Sequence, residues 1–505
     1  MDSVIEQNIL AIQHLDLSVG KEDLAELLRT RSVALILCDG EPAHNIALRT
    51  AANLLSRLSF QVSIGGDDDS LELAITEADQ FGFNFDRFEE EIHYDLRITI
   101  GAQGAVSDIQ AYAFGWNVCL TSNSAQNFTG EPSNEVCGAM LGVLIASEAF
   151  NRTVGPALGK KEFQPNLCIS LLDYSSSISS GPAPLPSLHI PQATLIGCGA
   201  IGNAFVYALS LLPGVTGYLE IVDPDWFTRT NSHRYMLANM NVAEHPRVYK
   251  TIRAAEFLAH HRELKVQGYE KNFEQFLAED GDDRRVSFLI AAVDNHAKRR
   301  QLGRETPREA INASTGNFTL VVSTHYGAYS QQGAPCAGCH YPYQAAEAER
   351  HTLIARETGL SPAEVESLST SNAPMTEQLL QTIAAFRGLP SGTYAEFEGQ
   401  PFDSFYQHGI CGGTEVVTST GKAEIPLAHV SAAAGILLAL ELTKRFTPEL
   451  RQYALDNFLQ LDMLNLTSEW FRKTKIARED CDCRRQVYQR RFSNKYSQAM
   501  PDAPR

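Results

Sequence analysis

Six residues lying between a strand-like and a helix-like run, Gly197-Cys198-Gly199-Ala200-Ile201-Gly202, carry the spacing G-x-G-x-x-G. Glycines in that arrangement allow a tight turn and let backbone amides approach phosphate oxygens at a helix N-terminus. Asp223 follows Gly202 by 21 residues, at the end of the strand-like run Tyr218–Val222, where a carboxylate can bond a ribose hydroxyl. Those features alone fit NAD as well as ATP. The next residues separate the two: Asp223-Pro224-Asp225 is followed by Asn231 and Arg234. A redox dinucleotide needs no cationic cluster just past the ribose acid, whereas a triphosphate and its departing pyrophosphate do. Further on, the strand-like run Val286–Ala291 leads into Asp294-Asn295, with Arg299 a helical turn later. A carboxylate at that end of a strand faces the crevice where open α/β sheets bind ligands, and is suited to holding magnesium.

Two short cysteine pairs, Cys336-Ala-Gly-Cys339 and Cys481-Asp-Cys483, could supply four thiolates to one tetrahedral zinc. The glycine in the first pair suits the turn that would aim both sulfurs inward. A redox role is the alternative, but neither pair follows a strand at the start of a helix, as a redox motif would. Between the pairs lies a segment of helical character, with signals such as Ser361-Pro-Ala-Glu364 and Thr376–Arg387. It ends at Gly409-Ile-Cys411-Gly412-Gly413. Flanking glycines leave the Cys411 sulfur accessible in a loop free to move, which suits a nucleophile; a small buried loop residue is the plainer reading. Cys198 is expected to pack beneath the glycine loop, and His233, His296, His340 and His408 are assigned no chemistry.

Elements that could position these residues follow from hydrophobic periodicity. Val33–Cys38 is a short apolar run of the kind a buried parallel strand needs, Asn45–Leu58 has helical spacing, and Leu96–Ile100 and Asn117–Leu120 read as later strands. Strands alternating with helices imply a mostly parallel sheet covered on both faces. The Ser-, Pro- and Gly-rich stretch 176–191 reads as a linker, and a second α/β unit starts at Ala193–Ile196. Gly142-Val-Leu-Ile-Ala-Ser-Glu148 has a near twin in Gly435-Ile-Leu-Leu-Ala-Leu-Glu441, each helix preceding a strand that ends near Asp173 or Asp462. That order predicts two copies of one fold, 1–175 and 192–505, of which only the second has the glycine fingerprint. A helical insertion, 341–415, interrupts the second copy.

With 505 residues, 42 Lys and Arg against 60 Asp and Glu, and a net charge of −18, the chain is too acidic for a broad nucleic-acid surface. The apolar stretches Val136–Phe150 and Ala428–Leu442 are interrupted by Glu148 and Glu441, so no membrane span is expected. The start of the chain has no secretory pattern. A cytoplasmic protein with reduced thiols is expected, Cys38, Cys119, Cys137 and Cys168 among them as buried thiols.

Residues 193–462 resemble the ubiquitin-activating-enzyme superfamily, which includes the bacterial adenylyltransferases of thiamine and molybdopterin synthesis. GCGAIG, DPDWFTRTNSHR, VDNHAKR and the cysteine pairs carry the resemblance, in order. It implies that Gly197, Gly199 and Gly202 form the ATP loop and that Asp223, with Asp225 beside it, binds the ribose. Asn231, Arg234 and a lysine would contact the phosphates, and Asp294 with Asn295 would hold magnesium. Lys250, followed by Ala254 and Leu258 in helical register, is preferred to Arg247 as that lysine. The resemblance also implies zinc on the four cysteines and, in the segment downstream of the first pair, a reactive cysteine, for which Cys411 is the candidate. The sequence departs from the family in having Tyr235 where a glutamine follows the arginine. Arg29 and Arg31 are weak matches to the arginine that a neighbouring domain supplies.

The implied activity is ATP-dependent adenylation of the C-terminal carboxylate of a ubiquitin-like protein, then thioester formation on Cys411 for hand-over to a conjugating enzyme, by a monomer or homodimer. The two-copy layout with a cysteine insertion is most similar to the activating enzymes of bacterial antiphage ubiquitin-like conjugation operons. Adenylation alone, for sulfur transfer or a small molecule, and a non-catalytic scaffold are the alternatives. An NAD-dependent oxidoreductase ranks last.

Overall fold

The computed structural model describes residues 5, 6, 8, 9, 12, 20–101, 107–122, 130–158, 166–178, 181, 182, 187–228, 231–240, 248–278, 285–293, 296–316, 318–329, 334–341, 345–371, 373–406, 410, 427–464, 466, 471–479 and 481–496. The first half runs α1 (Lys21–Thr30), β1 (Ser32–Leu37), α2 (Pro42–Arg57), β2 (Gln61–Gly65), α3 (Asp68–Phe81), β3 (Asp86–Arg87) and β4 (Leu96–Ile100). It continues through β5 (Ile109–Phe114), β6 (Asn117–Thr121), α4 (Glu135–Thr153) and β7 (Asn166–Ser170). The second half begins β8 (Leu188–Ile196), α5 (Ala200–Ser210), β9 (Val215–Val222), α6 (Lys250–Leu258), β10 (Leu264–Tyr269) and α7 (Phe273–Ala278). Then come β11 (Phe288–Ala291), α8 (His296–Arg304), β12 (Glu309–Thr315) and β13 (Thr319–Tyr326). Short helices follow: α9 (Ala337–His340), α10 (Ala345–Thr358), α11 (Pro362–Ser371), α12 (Glu377–Phe386) and α13 (Phe402–Phe405). The chain closes with α14 (Ala428–Phe446), β14 (Phe458–Asp462), β15 (Phe471–Arg472) and α15 (Gln486–Tyr496).

One strand order serves both sheets. The first reads β3-β2-β1-β4-β5-β6-β7 and the second β10-β9-β8-β11-β12-β13-β14, extended by β15. In each, the first five strands pair parallel and the rest antiparallel. The long apolar helices α4 and α14 occupy the same place, before the last matched strand of each sheet. They are buried over nearly their whole length because each lies between its own sheet and the other half. The twin glycines explain how closely they approach. A side chain at Gly142 would collide with Ala47 O and Thr50 of α2, and one at Gly435 with Ala204 and Phe205 of α5. Among the described residues, no helix is long and apolar enough to cross a membrane.

Two differences from the sequence reading concern particular residues. β8 begins at Leu188, inside the Ser- and Pro-rich stretch, and pairs with β9 at Leu188–Val215 and Ile190–Gly217 before a register shift. Pro191, which lacks an N–H, lies in that shift, and Gly217 has φ of 105° with no space for a side chain against Ile190. Cys119 and Cys168, expected as free thiols, face each other across β6 and β7 and are joined by a disulfide. The helical insertion packs around its own core of Ile354, Val365, Leu380, Ile383, Phe402 and Phe405. It touches the second half where Asn272 Nδ2 donates to Ser371 O at 3.0 Å.

Candidate functional site

The glycine loop connects β8 to α5, at the carboxyl ends of the parallel strands. Gly197 has φ of 90°, and a Cβ there would lie 2.6 Å from Ala292 O, so only glycine fits. A side chain at Gly202 would strike Gly197 O. Gly199 is the N-cap of α5 and offers its first-turn amides no side-chain cap, so they can donate to an anion. Cys198 is fully buried below the loop, its thiol 3.8 Å from Lys250 O, and burial pushes its pKa up.

Asp223 follows β9 directly. One carboxylate oxygen accepts from Cys198 N at 2.6 Å and the other from Asp225 N at 2.9 Å, so it ties the glycine loop to the neighbouring strand end. Lys250, first residue of α6 and buried, sets its ammonium 2.8 Å from Asp225 and 3.7 Å from Asp223. Burial raises the Asp223 pKa against the pull of Lys250. For Lys250 the loss of water acts to lower the pKa, but the two carboxylates outweigh it and hold the amine firmly protonated. The pair is thus a buried cation beside two anions, able to exchange partners with a phosphate.

Tyr235, the departure from the family pattern, is buried at the middle of this group. The Lys250 ammonium lies 5.5 Å from its ring centroid and the Arg234 guanidinium 6.0 Å, while a Cβ on Gly199 would be 3.6 Å from its hydroxyl. Loop, lysine and arginine therefore meet on one aromatic ring, an arrangement the motif spacing did not reveal. Arg234 Nε is buried and has no hydrogen-bond partner among the described residues, an orphaned donor that suits an anion. Asn231 opens the same turn, its carbonyl accepting from Arg234 N at 3.2 Å.

Asp294, Asn295 and Arg247 lie outside the described residues, as does Cys411. On the near side of Asp294, Val293 O accepts from buried Arg299, which also bonds Asn312 Oδ1 of β12 at 3.1 Å. Arg299 therefore braces the end of β11. Of the two N-terminal arginines, Arg31 is engaged with Asp95 at 2.7 Å and Arg29 is exposed on α1.

The four paired cysteines converge. Their sulfurs lie within 4.8 Å of one another, with Cys336–Cys481 and Cys339–Cys483 at 3.5 Å and Cys336–Cys339 at 4.0 Å. A tetrahedral zinc with bonds of about 2.3 Å requires sulfur separations of about 3.8 Å, so the donor set fits that ion. Gly338 lies between two of the sulfurs, where a Cβ would be 3.4 Å from Cys481 Sγ and 3.5 Å from Cys336 Sγ. The cluster holds the C-terminal segment against α8: Arg304 pairs with Asp482 at 2.7 Å and Arg491 with Glu305 at 2.6 Å.

Residues 182–485 match the ThiF family. An uncharacterized protein of Sinorhizobium fredii, y4jF, is 30% identical over 310 residues, which are 59% of this chain and 57% of that protein. The chain thus spans little more than half the length of that relative. Among solved structures, E. coli MccB is similar at 14% identity and a TM-score of 0.35, over 74% of this chain and 94% of that one. A structure titled E. coli MccB with succinimide is similar at 12% identity and a TM-score of 0.34, over 74% and 97%.

Proposed function

The chain belongs to the ThiF family, and from that premise we propose that it is an ATP-dependent activating enzyme for a ubiquitin-like protein. The observation that carries the nucleotide half of this reading is the meeting of the uncapped α5 N-terminus, Lys250 and the orphaned Arg234 Nε around Tyr235. Adenylation needs little more than such a site, because positioning and charge neutralisation supply most of the rate. The substrate's C-terminal carboxylate oxygen attacks the α-phosphorus, the bond to the β-phosphate oxygen breaks, and pyrophosphate leaves. Asp223 would hold the ribose, Lys250, Arg234 and Asn231 the phosphates, and Asp294 with Asn295 the magnesium that neutralises them. The Cys411 thiolate would then attack the acyl carbon and expel AMP, leaving a thioester for a conjugating enzyme. The cysteine insertion on a two-copy frame favours the bacterial antiphage conjugation systems as its setting, in the cytoplasm.

Incubating the protein with Mg·ATP and ubiquitin-like proteins encoded beside it, then running a non-reducing gel, should give a band that thiol removes. Asp294→Ala should abolish ATP–pyrophosphate exchange, and Cys411→Ala should keep exchange and lose the band. Exchange without a thiol-sensitive band in the wild type would reduce the activity to adenylation alone. We also propose that Cys336, Cys339, Cys481 and Cys483 hold a structural zinc, which would contribute stability and leave the reacting atoms untouched. Elemental analysis of fresh protein should find about one zinc per chain; a value near zero would remove it.

A further inference from the structure

Among the described residues Arg57 is the largest side chain that is fully buried, and it belongs to the half without the glycine loop. It is the last residue of α2, the helix that matches α5 in strand order. Every one of its five N–H donors has a partner. Nε donates to Asn53 Oδ1 at 2.7 Å, Nη2 to Met236 O at 3.0 Å and Ala238 O at 2.8 Å, and Nη1 to Ser232 O and Met240 Sδ. The ring of Phe83 lies 5.0 Å below the guanidinium. Among the described residues no carboxylate pairs with it, and burial lowers its pKa to about 9, so it remains charged near neutrality.

Three of those partners are main-chain carbonyls of the stretch 231–240, which has no strand or α-helix to satisfy its own backbone groups. Ser232 lies between Asn231 and Arg234, and Met236 follows Tyr235. The same stretch receives Asn53 Nδ2 on Met236 O, and it gives Asn239 Nδ2 to Gln80 O and Met240 N to Phe81 O. Its ties to its own half include Asn203 Oδ1 accepting from Leu237 N at 2.8 Å. Much of the shape of the segment bearing Asn231, Arg234 and Tyr235 is thus set from the other half.

We propose that Arg57 is a positioning residue for the nucleotide site: its guanidinium gathers the Ser232, Met236 and Ala238 carbonyls and so fixes the turn that presents Asn231 and Arg234. The first half would act on ATP without touching it. A lysine has three donors at a single point and cannot span carbonyls on both sides of Tyr235. This proposal rests on the nucleotide reading above, and its test separates the two. Mg·ATP binding to the intact chain is measured by calorimetry, and hydrogen exchange is followed over 231–240, for wild type, Arg57→Lys, Asn53→Ala and Arg57→Ala.

Arg57→Lys should weaken ATP by about tenfold or more and Asn53→Ala by about threefold. Exchange should rise over 231–240 while β8 and β9 stay protected. Added guanidinium should restore ATP affinity to Arg57→Ala, which a merely structural role would not produce. Arg57→Lys with wild-type affinity, or with unchanged protection over 231–240, overturns the proposal. If Arg57→Lys is poorly folded, the milder Asn53→Ala decides by the same two measurements. If wild type binds no Mg·ATP, the nucleotide reading fails, and exchange over 231–240 still decides what Arg57 holds.

Discussion

The two halves have the same strand order and differ in the loop that follows the matched strands β1 and β8. After β8 the chain offers Gly197, Cys198 and Gly199, an uncharged loop whose N-cap glycine has no side chain to give α5. After β1 it offers Cys38, Asp39, Gly40 and Glu41. There the Asp39 carboxylate accepts from Glu41 N at 3.2 Å and lies 2.7 Å from His44 Nδ1. Gly101, at the end of β4, has φ of 100° and no room for a side chain against that carboxylate. The first loop thus contains its own carboxylate, whereas the second contains none and takes its carboxylate, Asp223, from the neighbouring strand end. The Asp223 position differs in the opposite sense: β9 ends at that carboxylate, whereas β2 runs into Gly65 and Gly66, and Asp67 caps α3 by accepting from Ser70 N. The two halves share one frame, and the second alone has the glycine loop. What the first copy retained is the far end of α2, where Arg57 reaches across.

The comparison is broken most severely by exchanging the tolerance of the two loops. Gly202→Val should lower Mg·ATP affinity by more than about 100-fold, because its branched side chain collides with Gly197 O and forces the loop open. Gly40→Ala meets nothing within 4 Å and should leave affinity within about twofold. Calorimetric titration of both variants checks the pair. Equal losses would mean that the first loop also takes part in nucleotide binding.

The strands were legible because parallel, doubly covered strands are apolar on both faces, as in Val33–Cys38 against β1 (Ser32–Leu37); Leu96–Ile100, with Arg97 and Thr99 on one face, still has the bounds read from its sequence. The repeat was legible from Gly142 and Gly435, since close helix approach demands a small residue and leaves a fixed mark in sequence. Asp223 and Lys250, both marked by the motif, meet in the structure. The roles of Tyr235 and Arg57 were not legible. Tyr235 registers in the sequence only as a lost glutamine, while in the structure Gly199, Lys250 and Arg234 converge on it. Arg57 is a lone arginine at a helix end, which by composition is a solvated charge; its partners are carbonyls, and carbonyls have no letter in the sequence. Asp294 and Cys411 were read from motif and loop composition, and they lie outside the described residues.

A sharper test uses the twin glutamates, which share a position in α4 and α14 and have opposite surroundings. Glu441 accepts from Tyr174 OH at 2.5 Å, Lys444 Nζ at 2.9 Å and Leu455 N at 2.8 Å, all out of water. Glu441→Gln would leave the buried Lys444 without its counter-charge, and should cost about 3–5 kcal/mol in chemical denaturation. Among the described residues Glu148 pairs with Arg152 alone, at 3.1 Å, and burial raises its pKa from 4.5 to about 7. Because the folded value lies above the unfolded one, folding takes up a proton between those two pH values. The stability this group contributes is present below pH 4.5 and lost as the pH rises through 7, about 3 kcal/mol in all. Glu148→Gln removes the titration and keeps an oxygen for Arg152. Its unfolding free energy should therefore fall less than the wild type's between pH 5 and pH 8, and at pH 8 it should equal or exceed the wild type's. A variant with wild-type pH dependence would place the proton elsewhere, and the two helices would then differ in sequence but not in electrostatics.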